Sequence, residues 1–225
     1  AAEARPLRLA ATRRARALLE RGRSRRGAGD EAGARDDFNE GLEALRDRTD
    51  LSALRLRGSL FEQAGQTELA AFALVAGAAL EDVAPDVRRE MLERAFELAL
   101  RAHPAAAQAS FFAAPAAEVD VLTSPDGVLR SIAERAHGTT LAAPAYVALA
   151  RALHARGADG EAVRLPLEKA LEVAPDDAAG WWARAEWHAA HGDGAAAAAD
   201  LARARRPLDG ATRPPGKQAL ITYVE

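Results

Sequence analysis

The chain has 225 residues, a formal net charge of −3, 49% apolar residues and only 5% aromatic residues, and it contains no cysteine. The missing cysteines exclude disulfides, zinc–cysteine sites and thiol catalysis. No apolar run approaches the roughly 20 residues that a membrane-spanning helix needs. Much of the apolar fraction is alanine, which favours helix but buries little area, and no sustained strand-like alternation precedes residues 219–224. The predicted fold class is all-α.

The N-terminal end is strongly basic. Residues 1–26 contain nine arginines against only Glu3 and Glu20. Such an asymmetry can steer a nucleic acid, an acidic partner or an anionic membrane surface. The alternative is a solvated, arginine-rich first helix, which the scarcity of lysine and the lack of interleaved aromatic residues favour. We therefore do not expect nucleic acid to be the main partner, and we keep it as the second hypothesis.

One spacing pattern recurs along the chain: a large residue, a small residue four later, a turn seven after that, and then a small, a bulky and another small residue. Its members are Leu18, Gly22, Gly29, Ala34, Phe38 and Gly41; Leu54, Gly58, Gly65, Ala70, Leu74 and Gly77; Met91, Ala95, Ala102, Ala107, Phe111 and Ala114; Tyr146, Ala150, Gly157, Ala162 and, one residue late, Ala170; and Trp181, Ala185, Gly192, Ala197, Leu201 and Ala204. Most units are about 35 residues apart. The pattern predicts pairs of short amphipathic helices joined by tight turns.

At these residues the chain resembles the tetratricopeptide repeat (TPR) family, in a bacterial form. The stretches GADGEAVRLPLEKALEVAPDD and GSLFEQAGQTELA are similar to that family's turn and second helix. The small residues would let two helix backbones approach closely where they cross. The resemblance implies a right-handed α-solenoid of about five helical hairpins that binds peptides on its concave face. An unrelated helical bundle is the alternative.

The predicted organisation is one solenoid over residues 1–206 and an extended tail over 207–225. Its repeats are 15–48, 51–84, 88–117, 143–177 and 178–206, with an insertion at 118–142. A short helix in the insertion has one apolar face, formed by Val128, Leu129, Ile132 and Ala133. The insertion is expected to be a kink, a lid or an assembly helix. Turn signals break the tail, which either stays loosely attached or adds to a sheet edge or to the protein's own surface.

Asp30 and either Asp50 or Ser52 are predicted N-caps. The chain has no phosphate-cradling glycine loop, no G-x-S-x-G and no H-E-x-x-H motif. The pair His188 and His191 has metal-ligand chemistry but coincides with the polar turn of the last repeat. The sequence therefore predicts no enzyme activity, no metal and no cofactor.

The candidate binding surface follows from helix geometry. Positions three before, one after and four after each helix-crossing small residue lie on one stripe. In TPR-like proteins the first helices line the concave face, so the resemblance makes this stripe a groove for an extended protein segment. The predicted groove residues are Arg23, Arg26, Arg55, Glu62, Phe96, Arg151, His154, Trp182 and Glu186.

Within this groove, Phe96 and Trp182 are the predicted anchors, and Arg55 and Arg151 are predicted to orient a segment that is apolar at its centre and acidic near one end. Trp181, at the large-residue position, is expected in the core. The resulting prediction is a non-enzymatic scaffold or assembly subunit with a protein partner. Nucleic-acid or anionic-surface binding is the alternative, and an enzyme subunit without a recognisable motif is a third hypothesis.

The compartment stays open. The sequence starts Ala-Ala-Glu-Ala without an initiator methionine. This start fits removal of an export signal and a shortened chain equally well. Exported or periplasmic and cytoplasmic locations are therefore both expected possibilities, and the sequence names neither the partner nor the oligomeric state.

Overall fold

The computed structural model describes residues 4–104, 106, 110–112 and 126–204, with side chains from residue 9 onward. In this part of the chain all regular secondary structure is helical, which confirms the all-α prediction for these residues. Contacts divide the chain into two compact units, Ala1–Ala102 (unit 1) and His103–Glu225 (unit 2). A single right-handed solenoid over 1–206 stays a prediction, and the predicted tail at 207–225 lies outside the described residues. None of the helices described here is both long enough and apolar enough to span a bilayer.

The described part of unit 1 has five helices. They are α1 (Ala4–Gly27), α2 (Glu31–Ala44), α3 (Leu51–Gln63), α4 (Thr67–Ala78) and α5 (Pro85–Ala102). Helices α1 and α2 form one antiparallel pair, α3 and α4 form the next, and α5 packs against α4. Helix α1 starts well before residue 15, the predicted start of the first repeat, because helix-favouring alanine, leucine and arginine continue upstream.

Small residues stand where the paired helices of unit 1 cross. A Cβ atom on Gly22 would lie 2.4 Å from Cε1 of Phe38, whose side chain is fully buried. At the equivalent crossing, a Cβ on Gly58 would lie 3.0 Å from Cδ2 of Leu74. Both contacts join the small residue of a first helix to the bulky residue of the second, as the spacing pattern predicts. Close backbone approach is therefore built into both hairpins.

The turns fall at the predicted glycines. Gly29, Gly65, Gly157 and Gly192 have φ angles of 84°, 78°, 76° and 80°. Only glycine adopts this left-handed backbone without a steric penalty from Cβ. The four residues end a first helix in the same way, which is why the period survives in a chain with little other sequence repetition.

Aspartate side chains start several second and first helices. Asp30 accepts a hydrogen bond from the Gly33 amide at 2.8 Å, and Asp50 accepts one from the Ala53 amide at 3.2 Å. Asp30 is therefore an N-cap as predicted, and Asp50 rather than Ser52 caps α3. Each cap satisfies an amide that the first helical turn leaves without a carbonyl partner.

The described part of unit 2 also has five helices. They are α6 (Asp126–Arg135), α7 (Ala142–Ala155), α8 (Gly160–Val173), α9 (Ala178–Ala190) and α10 (Gly194–Ala204). Helix α6 lies in the predicted insertion and packs against α7, with its four predicted apolar residues buried. Its apolar face is thus used inside unit 2. Helices α7 and α8 pair, as do α9 and α10, and the two first helices α7 and α9 also contact each other.

The third predicted repeat is only partly helical. Helix α5 ends at Ala102, the predicted turn position. Phe111, which was expected in the second helix of that repeat, lies in a turn with Phe112 instead. The Phe111 amide donates to the Glu186 carboxylate rather than to a carbonyl in its own segment, so the helical prediction for this residue is wrong. The rest of the predicted second helix lies outside the described residues, apart from Pro104 and Ala106.

Candidate functional site

The candidate site of unit 2 lies on the adjoining first helices α7 and α9. Asp177 caps α9 by accepting from the amides of Ala179 and Gly180 at 3.1 and 3.2 Å. A cap fixes where the helix starts, and helical periodicity then fixes which side chains face α7. Three predicted groove residues are brought together here: Arg151 and His154 from α7 and Glu186 from α9.

Glu186 is a buried carboxylate with only 6% of its surface exposed. Its Oε1 accepts a hydrogen bond from the Ser110 hydroxyl at 2.5 Å and another from the Phe111 backbone N–H at 3.1 Å. The Arg151 guanidinium lies 3.9 Å from Oε2 of the same side chain. A carboxylate removed from water is stable only when its charge and lone pairs are satisfied in this way.

Phe111 contributes the apolar half of the contact. Its side chain is 2% exposed and meets the His154 ring edge-on, with the ring centroids 5.3 Å apart at an interplanar angle of 61°. The neighbouring Phe112 is 40% exposed. The amide of Phe112 donates to the Ser110 hydroxyl at 3.3 Å, which tightens the turn. A short non-helical segment therefore lies on the predicted groove residues, held by one polar and one aromatic contact.

Arg151 is partly withdrawn from water. Burial lowers the pKa of its guanidinium, while the Glu186 carboxylate acts in the opposite direction. Arginine nonetheless stays charged in proteins, so the guanidinium remains a fixed positive charge behind the Glu186 carboxylate. Beside this charge, the Glu186 carboxylate accepts both hydrogen bonds from the Ser110–Phe111 segment.

Trp182 does not provide the exposed anchor that was predicted. Its side chain is 5% exposed and belongs to the core between α9 and α10, together with Ala185, Ala189, Ala197, Leu201 and Ala204. Four of those five neighbours are alanines, so the indole fills volume that they leave empty. The expectation that Trp182 lies open to a partner is therefore wrong.

Trp181 shows the opposite error. It was expected in the core but is half-buried at the edge of the same cluster. The guanidinium carbons of Arg184 and Arg203 lie 4.8 and 4.6 Å from its ring centre, and its Nε1 donates to the Pro175 carbonyl at 2.6 Å. Cations at these distances are attracted to the indole face. The large-residue position of the last repeat is thus partly a surface position.

The predicted groove residues of unit 1 form charge pairs between neighbouring helices. Arg55 on α3 donates to Glu90 on α5 at 2.9 Å. Glu62, also on α3, accepts from Arg94 and from Arg101 on α5. Burial raises the pKa of the Glu62 carboxyl, but the hydrogen bonds from both arginines outweigh it and the net pKa is lowered. This part of the stripe is therefore internally neutralised.

The remaining three predicted groove residues are on α1 and α5. Arg23 pairs with Glu20 at 3.0 Å and is exposed. Arg26 pairs with Glu31 at 3.3 Å, donates to the Gln63 side chain at 3.3 Å and lies 5.0 Å from the centre of the Phe38 ring. Phe96 is half-buried on α5. Arg26 thus connects α1 to α2 and α3 within unit 1.

Two buried arginine–aspartate pairs were not predicted from the sequence. Asp37 is 1% exposed and bonds Arg21 through both oxygens, at 3.0 and 2.5 Å. Asp200 is 3% exposed and bonds Arg184 through both oxygens, each at 2.7 Å. The hydrogen bond from Arg21 holds the pKa of Asp37 below its usual value despite burial. Planar bidentate pairing is the strongest arrangement of these two groups.

A signal for both pairs is present in the sequence. Each arginine directly precedes the helix-crossing small residue, each aspartate directly precedes the bulky residue, and the partners are 16 residues apart in both cases. The spacing pattern used above considered only size and ignored charge. Comparing charges at equal positions of the first and last repeats would have found the pairs.

The histidines of the last turn have structural contacts. His191 Nδ1 lies 2.8 Å from the Trp187 carbonyl oxygen. The two ring nitrogens of His188 lie 3.8 Å from carboxylate oxygens of Asp193 and Asp200. Among the described side chains no group of three or more histidines and acids is placed to hold a metal ion. The arrangement fits a closed polar turn after α9.

Comparisons with known proteins give little. No protein-family model matches the sequence, and no curated protein matches it significantly. Among solved structures, the chain is similar to an assembly chaperone of RpL4 (Acl4), residues 1–338, with 16% identity over 93% of this chain and 83% of that chain and a TM-score of 0.36. At this TM-score the likeness carries no argument, so function must be argued from the residues of this chain.

Proposed function

We propose that the protein is a non-enzymatic, TPR-like scaffold or assembly subunit, with the right-handed solenoid arrangement that the family resemblance implies. Its binding surface for an extended protein segment is the α7–α9 face of unit 2, formed by Arg151, His154 and Glu186. One observation carries the proposal: this face already holds a short non-helical segment through a buried carboxylate and an aromatic contact. Groups arranged to bind one non-helical segment can bind another of the same chemistry.

The nucleic-acid alternative depends on the arginines of α1. Arg14, Arg21, Arg23, Arg25 and Arg26 are all within salt-bridge distance of acidic side chains in unit 1. Each such pair lowers the positive charge available for phosphates and must be given up before an arginine can bind one. The pairing supports a structural role for these arginines, and we keep nucleic acid as the second candidate.

An enzymatic role is the least supported candidate. A surface cavity of about 580 Å³ in unit 1 is lined by the loops at 47–51 and 80–83. Its walls include four acidic residues, Asp47, Asp50, Glu81 and Asp82, and three apolar ones, Leu51, Leu80 and Val83, whereas small-molecule sites are mostly apolar with a few convergent polar groups. We therefore propose that binding, and not catalysis, is the function.

Affinity capture from native extract tests the proposal when variants of the α7–α9 face are compared with a variant of an exposed surface residue. The variants are Glu186→Gln and Arg151→Ala, and the matched control is Glu172→Gln, an exposed carboxylate of unit 2. We expect the parent and Glu172→Gln to capture the same protein. Glu186→Gln and Arg151→Ala should retain at least about tenfold less of it, which corresponds to a loss of about 1.4 kcal/mol of binding free energy.

Two outcomes would count against the proposal. Capture that is unaffected by Glu186→Gln and Arg151→Ala, with circular dichroism showing intact folding, would remove the site from the α7–α9 face. Recovery of RNA or DNA that is released as salt rises from about 50 to 200 mM would favour the arginine-based alternative, because phosphate contacts weaken steeply in that range.

A further inference from the structure

The segment Ser110–Phe112 is bound to unit 2 in the way a peptide ligand would be. Its hydroxyl and the next backbone N–H converge on one carboxylate oxygen of Glu186, and its Phe111 ring is 2% exposed against His154. The contacts come from α7 and α9, which follow the segment by more than 30 residues in the chain. Local chain geometry therefore does not impose them, and the segment is held by side-chain chemistry.

These contacts define which chemistry the face accepts. Oε1 of Glu186 accepts from the Ser110 hydroxyl, so the residue at the Ser110 position must donate, and serine or threonine does so with a short side chain. The following residue must keep its backbone N–H, which excludes proline. The same residue supplies the ring that meets His154. A phosphorylated serine would bring its charge against Glu186 and is disfavoured.

We propose that Ser110–Phe112 is an internal competitor for the α7–α9 face, and that the partner segment has serine or threonine followed directly by an aromatic residue. This inference rests on the proposed function, since it names the ligand of the same site. The partner and the protein's own segment then exclude each other at Glu186 and His154. Binding requires release of the segment before the partner can occupy the face.

The competition sets an affinity threshold. The apparent affinity of a ligand falls by the fraction of molecules whose site is open. If molecules with the segment bound to the face outnumbered molecules with an open face by about 30 to 1, the partner would bind about 30-fold more weakly than to an open site. Any substitution that weakens binding of the segment to the α7–α9 face, and leaves Glu186 and His154 unchanged, should therefore tighten partner binding.

A labelled peptide with the sequence of residues 107–114, AQASFFAA, tests this directly by fluorescence anisotropy. The proteins are full-length parent, Phe111→Ala, the milder Ser110→Ala and, as control outside the segment, Leu165→Ala on α8, whose side chain is 48% exposed. We expect Phe111→Ala to bind the peptide about tenfold more tightly than the parent, Ser110→Ala about threefold more tightly, and Leu165→Ala like the parent. Adding Glu186→Gln should cancel both gains.

Peptide variants check the chemistry. In the Phe111→Ala protein, replacing the peptide serine by alanine or its first phenylalanine by alanine should weaken binding about tenfold, whereas threonine in place of serine should be tolerated. Phosphoserine should bind more weakly than serine. Tighter binding of the phosphopeptide would overturn the assigned ligand chemistry.

The outcomes separate this inference from the proposed function. If Ser110→Ala and Phe111→Ala stay folded and neither binds the peptide more tightly than the parent, the internal competitor is refuted. Should Phe111→Ala fail to fold, Ser110→Ala decides, because it removes only the two hydrogen bonds of the Ser110 hydroxyl and almost no packing. Partner capture that depends on Glu186 while the peptide results are negative would leave the proposed function standing and overturn only the competition.

Discussion

The crossing of α1 and α2 gives the sharpest stability prediction. In Gly22→Ala the new methyl group would lie 2.4 Å from Cε1 of Phe38 and 2.9 Å from two further ring carbons. The ring is fully buried and Arg26 lies 5.0 Å from its centre, so it cannot swing away cheaply. Overpacking of this kind costs about 1–3 kcal/mol. Alanine returns up to about 1 kcal/mol of helix propensity relative to glycine, so we expect a net loss of about 1–2 kcal/mol.

Chemical denaturation followed by circular dichroism measures this loss, with Gly27→Ala as the matched control. Gly27 lies at the end of the same helix, and a Cβ there would meet nothing within 4 Å. The control should therefore be neutral or slightly stabilising. Trimming the ring in the double variant Gly22→Ala/Phe38→Leu should cost less than Phe38→Leu alone, since the two changes relieve each other. A Gly22→Ala protein as stable as the Gly27→Ala control would refute the close crossing.

Two further predictions concern charged side chains. The folded-state pKa of Asp37 is lowered, so the contribution of Asp37 to stability should be complete above the unfolded pKa of about 3.9 and be lost as pH falls through the folded pKa. When the free energy of unfolding is measured against pH in acid, Asp37→Asn should reduce this loss, whereas the exposed control Asp36→Asn should not. Asp159→Ala should lower the unfolding free energy by about 1 kcal/mol by removing the α8 N-cap, whereas the exposed control Asp176→Ala should change it little in the same denaturation assay.

Residue size and spacing were enough to predict the hairpins. The glycines at 29, 65, 157 and 192 lie at a constant offset and required a left-handed backbone. The small residues, each four positions after a large residue and seven before the turn, required close helix crossings. Both requirements are local and steric, so a single sequence contains them. Helix capping by Asp30 and Asp50 is local in the same sense.

The candidate site could be predicted only in part, because exposure depends on neighbours far along the chain. The stripe rule placed Arg151, His154 and Glu186 on one face, and the structure does bring them together. The same rule made Trp182 an open anchor, although its indole is buried in the cluster between α9 and α10. Periodicity gives the direction of a side chain but not the volume that awaits it.

The position of Ser110 and Phe111 on that face also could not be predicted from the sequence. The spacing pattern assigned Phe111 to a helix because it fits the bulky position of the third repeat. The competing possibility, an amide that leaves the helix to reach a carboxylate about 75 residues later, has no local signal. Long-range hydrogen bonds of this kind are decided by the folded arrangement and not by propensity.

The Arg184–Asp200 pair also bears on how the helices of an alanine-rich chain find the right neighbours during folding. Helices α7 and α9 both present alanine-rich surfaces to their neighbours. At the position of Arg184, however, α7 has Leu149, and docking α10 there would bury the Asp200 carboxylate opposite a leucine without a counter-charge. An unpaired buried charge costs several kcal/mol, so this mispairing is penalised far more than the native pair. Replacing both partners by apolar residues would thus endanger folding fidelity before it endangered stability.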